Sequence, residues 1–182
     1  TVASITITAG ASAANYNFGG LGSGLSGSVY VDRNGNGQRD AGEPGIPGVS
    51  VSISGVAATG DDICTLIVCT LVTDAAGGYW FQNLPGSDAA GYRISEQSQA
   101  STPLSNWMDG AERLGTVNGA AAGTVFPDAF HAVVVGASQL GEGYDFGERG
   151  SSLAGRIYLD LDSSGAFSAG DTPLVGQTVT LS

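Results

Sequence analysis

The chain contains no lysine, one histidine, one methionine and two cysteines among its 182 residues. Each shortage closes a route. Six basic residues, all arginine, against 17 acidic ones give a formal net charge of −11, which disfavours nucleic acid and anionic membranes as partners and favours cations. A single histidine without a recognisable nucleophile motif supports no Ser/His/Asp arrangement. No run approaches the roughly 18 apolar residues of a membrane span, and the start at Thr1 lacks the pattern of a signal sequence, so the chain reads as a mature or excised piece with no membrane insertion. Cys64 and Cys69, in ICTLIVCT, are too few for a disulfide framework and lack the CxxC spacing of redox or zinc sites. On one continuous strand they would face opposite sides, so a disulfide between them needs an intervening turn. A local disulfide and two small buried apolar residues both remain open.

What is abundant is glycine, at 30 residues, beside a hydrophobic content of 42%. Short alternating runs are spaced by Gly, Pro and Asn clusters: Val49, Val51 and Ile53; Tyr79 and Phe81; Tyr92 and Ile94; Val133 and Val135; Tyr144 and Phe146. The pattern predicts an all-β antiparallel sandwich, with at most a short helical turn in PLSNWMDGAERL. Gly22, Gly24 and Gly27 fit GxGxxG, but they lead into SVYV without a βαβ context and are read as linker. His131 falls on a strand, Asp61 and Asp62 in a solvated loop. Trp80 points away from Tyr79 and Phe81; burial under the segment from Gln97 to Ala122 is the expectation, presentation to a sugar or protein the alternative.

The chain also repeats itself. At an offset of 128 residues, the separation of Tyr16 and Tyr144, NYNFGGLGSGLSGSVYVDRNGNG lies over GYDFGERGSSLAGRIYLDLDSSG without a gap. So long a period marks a tandem array of domains, since solenoid units are about 20 to 50 residues long. The expected organisation is a closing strand of a preceding repeat over 1–24, a complete module over 25–150, and the opening of a following repeat over 151–182.

The stretch DRNGNGQRDAGE places oxygen donors as an EF-hand loop does: Asp32, Asn34, Asn36, the carbonyl of Gln38, Asp40 and Glu43, with Gly37 at the sharp turn. A hard cation needs about six to eight oxygens. Every liganding position is filled, which favours Ca²⁺ over an ordinary acidic turn, and the absence of His and Cys excludes soft metals. The β-patterned SVYV before it and GIPGV after it set it apart from a calmodulin-type helix-loop-helix. Its copy, DLDSSGAFSAGD, offers Asp160, Asp162, Ser164, Ala166 through its carbonyl, Ser168 and Asp171; with serines and a shorter final acid, a weaker site is expected.

These motifs, with TDAAGGYWFQNLPG, YRISEQ, MDGAERLGTVNG and GYDFGE in order, make the chain resemble the B-type repeats of serine–aspartate repeat surface proteins, which are related to collagen-adhesin B-type domains. The resemblance implies an immunoglobulin-like β-sandwich that binds calcium through Asp32, Asn34, Asn36, Gln38, Asp40 and Glu43 and serves as a stalk segment on a bacterial cell surface. Its partners would be neighbouring repeats, and no enzyme activity is implied. The competing expectation is an adhesive module that binds a glycan or matrix protein through Ser95 to Asp128. Some collagen-adhesin relatives carry a lysine–asparagine isopeptide bond, which a chain without lysine cannot form. The cysteine pair lies outside the family pattern.

Overall fold

A computed structural model describes residues 22–180. Tyr16, Phe18 and nearly all of the expected preceding repeat therefore lie outside the described residues. The contacts divide the chain at Gly150/Ser151 into two units.

In the first unit the strands are β1 (Ser23–Val31), β2 (Ser50–Ser54), β3 (Thr70–Val72), β4 (Gly78–Leu84), β5 (Tyr92–Glu96), β6 (Met108–Arg113), β7 (Thr116–Val117), β8 (Ala120–Ala121), β9 (Thr124–Phe126), β10 (Ala129–Val133), β11 (Leu140–Glu142) and β12 (Asp145–Arg149). Single 3-10 turns occupy Ile63–Thr65 and Leu104–Asn106, so the PLSNW segment supplies the short turn and MDGAER continues as a strand. One sheet runs β6-β12-β1-β11-β7-β8 with β4 also on β1; the other runs β3-β2-β5-β10-β9. The all-β expectation holds.

The wholly antiparallel expectation does not. β4 pairs antiparallel with one edge of β1, but β11 and β12 divide the other edge between them and both run parallel to it. A nine-residue strand offers more hydrogen-bonding edge than either short return strand can cover. The GxGxxG glycines are likewise not a linker, because Gly24 and Gly27 lie within β1. Gly27 is required by close approach, since a Cβ there would collide with the carbonyl of Tyr144.

Alternation directs the side chains. Val51 and Ile53 of β2, Tyr79 and Phe81 of β4, and Tyr92 and Ile94 of β5 turn inward, and both sheets contribute to a single core with Leu25, Val29, Phe130, Tyr144 and Phe146. The Phe130 ring lies 5.3 Å from Tyr144 and 4.8 Å from Phe146. The same period carries Glu96, two residues beyond Ile94, to an inward position at the end of β5.

The second unit contains β13 (Tyr158–Leu159) and β14 (Thr172–Pro173), paired antiparallel with Tyr158 opposite Pro173. In the first unit Tyr30 bridges Gly45, the same pairing 128 residues earlier.

Candidate metal centre

The DRNGNGQRDAGE loop is closed at its base by backbone pairing. Val31 N donates to Pro44 O (2.9 Å), Ile46 N to Val29 O (2.8 Å), and Asp32 N to Glu148 O (2.8 Å) on β12. Sequence-adjacent residues are thereby wound into a tight coil against a rigid strand. Asp32 is buried; its Oδ1 accepts from the amides of Gly35 (2.7 Å) and Asn36 (3.2 Å) and its Oδ2 from that of Gly37 (2.8 Å). Gly37 has φ +71, a conformation that costs an L-residue with a Cβ. Glu43, also buried, accepts from Arg33 N (2.8 Å) and Asp40 N (2.9 Å), tying the two ends of the loop together. The side-chain amides of Asn34 and Asn36 both donate to Asp40 Oδ2 at 2.8 Å. Those two amides hold the Asp40 carboxyl below the usual carboxylate range. Asn34 and Asn36 thus meet at one oxygen of Asp40, and the side-chain donor set would be entirely oxygen once the amides turn over.

The loop at Asp160 repeats this wiring. Asp160 accepts from Ser164 N (3.1 Å) and Gly165 N (2.8 Å), as Asp32 does from Asn36 and Gly37. Asp162 Oδ1 accepts from Ser164 N (3.0 Å), as Asn34 Oδ1 does from Asn36 N (3.0 Å). Asp171 accepts from Leu161 N (3.0 Å) and Ser168 N (2.7 Å), reproducing the brace made by Glu43. Gly165 has φ +75, and Ser163 takes φ +59 where the first loop has Gly35 at +71. Carboxylate oxygens of Asp160, Asp162 and Asp171 lie within 4.8 Å of one another. Hydrogen bonds led by those from Ser164 hold Asp162 down at about 2, and the amides of Ser168 and Leu161 lower Asp171. Ser168 Oγ donates to Asp162 Oδ2 (3.0 Å) and to Asp171 Oδ2 (3.2 Å), and the Ala166 carbonyl accepts from Ser164 Oγ (3.0 Å). Asp160, Ser168 and Asp171 are half-buried and Asp162 and Ser164 exposed, and the loop reaches the same backbone shape with shorter side chains at 164, 168 and 171.

Other singled-out residues are dispersed. Cys64 and Cys69 are disulfide-bonded, with Cα atoms 5.2 Å apart and the 3-10 turn beginning at Ile63 reversing the chain between them. Asp61 and Asp62 are exposed, and Asp62 caps that turn by accepting from Cys64 N (2.8 Å). The His131 ring stacks on Phe126 at 4.3 Å. Trp80 is not buried under the Gln97–Ala122 segment. It stands 53% exposed, because the inward positions of β4 belong to Tyr79 and Phe81; Trp107 instead packs against the core.

One constellation escaped the sequence reading. Asp109, Glu112 and Asp128 bring carboxylate oxygens within 4.8 Å of one another, and the buried Glu96 and Glu148 stand beside them. Burial, reinforced by Glu148, pushes Glu96 up to about 10, and burial pushes Glu148 up to about 7. Asp109, Glu112 and Asp128 are all raised, by burial first. The one available signal was the inward phase of Glu96 in YRISE.

Among the described residues no helix is long and apolar enough to cross a membrane. Comparison with curated proteins finds no match to the chain. A family model, that of the SdrD B-like domain, matches residues 23–114, from the first residue of β1 past the end of β6 and across the whole first loop, and the chain belongs to this family of surface-adhesin repeats.

Proposed function

We propose that the chain is a calcium-binding spacer from the stalk of a repetitive bacterial cell-surface adhesin, built from immunoglobulin-like β-sandwich modules in tandem. Family membership supports the surface-adhesin setting, and the family is not one of enzymes. The observation that carries the reading is the common wiring of two loops 128 residues apart. Residues 151–182 accordingly open a following module, the complete one runs from the start of β1 at Ser23, two residues before the boundary expected from sequence, to Gly150, and the residues before β1 close a preceding one. Leu153, Ile157, Leu159 and Val179 are exposed, whereas their counterparts Leu25, Val29, Val31 and Val51 are buried in the first unit's core. In a complete module these positions would lie in the core, as their counterparts do.

Asp32, Asn34, Asn36, Asp40 and Glu43, with the Gln38 carbonyl, would hold the first Ca²⁺. Asp160, Asp162, Ser164, Ser168 and Asp171, with the Ala166 carbonyl, would hold a second, weaker one. A bound ion cross-links the oxygens of one short loop and offsets the repulsion of its acids. Since each loop leaves the end of a first strand, ordering it stiffens the chain next to a module boundary. Small-angle scattering on a segment with two complete repeats tests this. A longer, narrower distance distribution in calcium than in chelator is expected, and identical broad distributions would remove the mechanism.

Exposed Trp80 favours a second reading, adhesion. Trp80 lines a cavity with Ser26, Leu140, Gly141 and Glu142, and an aromatic there offers a stacking surface. Binding on a glycan and matrix-protein array that disappears in Trp80→Ala would establish it; a blank array leaves the spacer.

A further inference from the structure

Trp80 stands where three strands of the first sheet meet. It lies opposite Ser26 in the β4/β1 pairing, while β11 brings Leu140 beside Gly24 on the other edge of β1. Gly24 makes the arrangement possible. A Cβ there would lie 2.7 Å from the indole nitrogen and 3.3 Å from Leu140 Cδ2, so the indole and the leucine methyl occupy the place of the missing side chain. The indole N–H edge is thereby laid over β1, and the ring as a whole stays exposed. On its other side Trp80 borders a second hollow, with Ile67, Val68, Leu71 and Gln82, at a loop that the Cys64–Cys69 disulfide closes.

The first hollow, with Ser26, Leu140, Gly141 and Glu142, has a rim of one sign. The face of an indole carries the negative end of its quadrupole. Glu142 adds a carboxylate with no hydrogen bond or ion pair among the described residues. Ser26 Oγ donates to Gly141 O (3.2 Å), so it offers a ligand only lone pairs. The indole N–H, the side-chain donor of the group, lies over Gly24. A sugar hydroxyl calls for donors as well as acceptors, whereas a cation calls for acceptors alone. The chain's own arginines do not meet this demand: among the described residues the ion pair joins Arg113 to Asp145, and the cation–π contact places Arg156 on Phe167.

We propose that Trp80 and Glu142 receive an arginine side chain of a basic partner protein, and that the hollow of Ile67, Val68 and Leu71 takes an apolar residue beside that arginine. A guanidinium stacks flat on an indole and keeps its N–H donors in its own plane, free for Glu142 and Ser26. Two copies of this chain, each with a formal net charge of −11, repel one another, which favours a basic partner over self-association. The inference rests on the adhesive reading of Trp80 and names the chemistry recognised there.

The test is ¹H–¹⁵N NMR of the intact chain in calcium and about 0.15 M NaCl, where diffuse attraction to the net charge is screened. The probes are N-acetylarginine amide, its neutral isostere N-acetylcitrulline amide, and maltose. The arginine probe should move the Trp80 indole N–H and the amides of Ser26, Gly141 and Glu142 along one saturable curve, with citrulline leaving them nearly still. Trp80→Leu should abolish that curve, and Glu142→Gln should weaken it about three- to fivefold. No response to arginine, an equal response to citrulline, or shifts scattered over the acidic surface would overturn the inference. Maltose moving the same resonances in arginine's place would defeat it while keeping the adhesive reading. An indole resonance that moves with protein concentration alone would give the hollow to a second copy and defeat the basic partner. The wild-type spectrum decides each case even if a variant fails to fold.

Discussion

Replacing Asp32 with alanine separates the loop's mechanical role from its metal-binding one. In chelator, Asp32→Ala removes the acceptor for the amides of Gly35, Asn36 and Gly37. Residues Arg33 to Asn36 are exposed, so the freed amides turn to water and the loss resembles that of a helix N-cap, about 1–2 kcal/mol. With free calcium at about 100 times Kd, the wild type gains a further ~2.7 kcal/mol by linkage. For a domain of this size 1 kcal/mol moves Tm by roughly 3 to 5 °C. The variant should therefore melt about 5 °C below wild type in chelator and about 15 °C below it in calcium. Differential scanning calorimetry in both buffers makes the measurement. Asp62→Ala is the control: it removes a comparable cap at Cys64 N, remote from the loop, and should lower Tm equally in the two buffers. If calcium raises the Asp32→Ala midpoint as far as it raises the wild type, the ion is not bound by this loop and the reasoning fails.

Gly37→Ala forces a Cβ into φ +71 and to 3.2 Å from the Ala111 Cβ, so it should cost about 1 kcal/mol and lower calcium affinity several-fold by calorimetry. Tyr79→Phe deletes the buried donor to Tyr144 O (2.6 Å) and orphans that carbonyl; a loss of about 1–3 kcal/mol is expected in urea melts, with m unchanged. Burial raises Tyr79 well above the ordinary phenol range and pushes Tyr144 up to about 12. The folded state therefore keeps protons that the unfolded chain releases near pH 10, so the stability these groups lend is complete below pH 10 and declines as pH rises toward 12. Absorbance at 295 nm should show these phenols ionising together with unfolding, and a smooth titration of all tyrosines near pH 10 with the fold intact would contradict the burial.

The all-β class and both loops were legible because each rests on a local rule. Alternation over β2, β4 and β5 places Val51, Phe81 and Ile94 inside whatever the sheet order, and twelve consecutive residues with glycine at the turn wind into the same coil at Asp32 and at Asp160. The serine at 163, taking a left-handed conformation where the first loop has glycine, shows how far that local pattern persists under substitution. The disulfide was open because its geometry depends on whether the chain turns at Ile63, and no residue between the cysteines dictates that.

What lay beyond sequence depends on which strands become neighbours. The parallel docking of β11 and β12 on β1 follows from how much edge each strand leaves free, and it turned glycines that looked like linker into a close-packed strand. Trp80 is exposed because no element of the described structure covers the outer side of β4, a property of sheet order and not of the indole. The pocket of Glu96, Asp109, Glu112, Asp128 and Glu148 exists only because two sheets bring their edge strands together. Residues from Glu96 to Glu148 share no spacing rule, so carboxylates that read singly as surface charge become a common electrostatic problem once the tertiary structure takes them out of water.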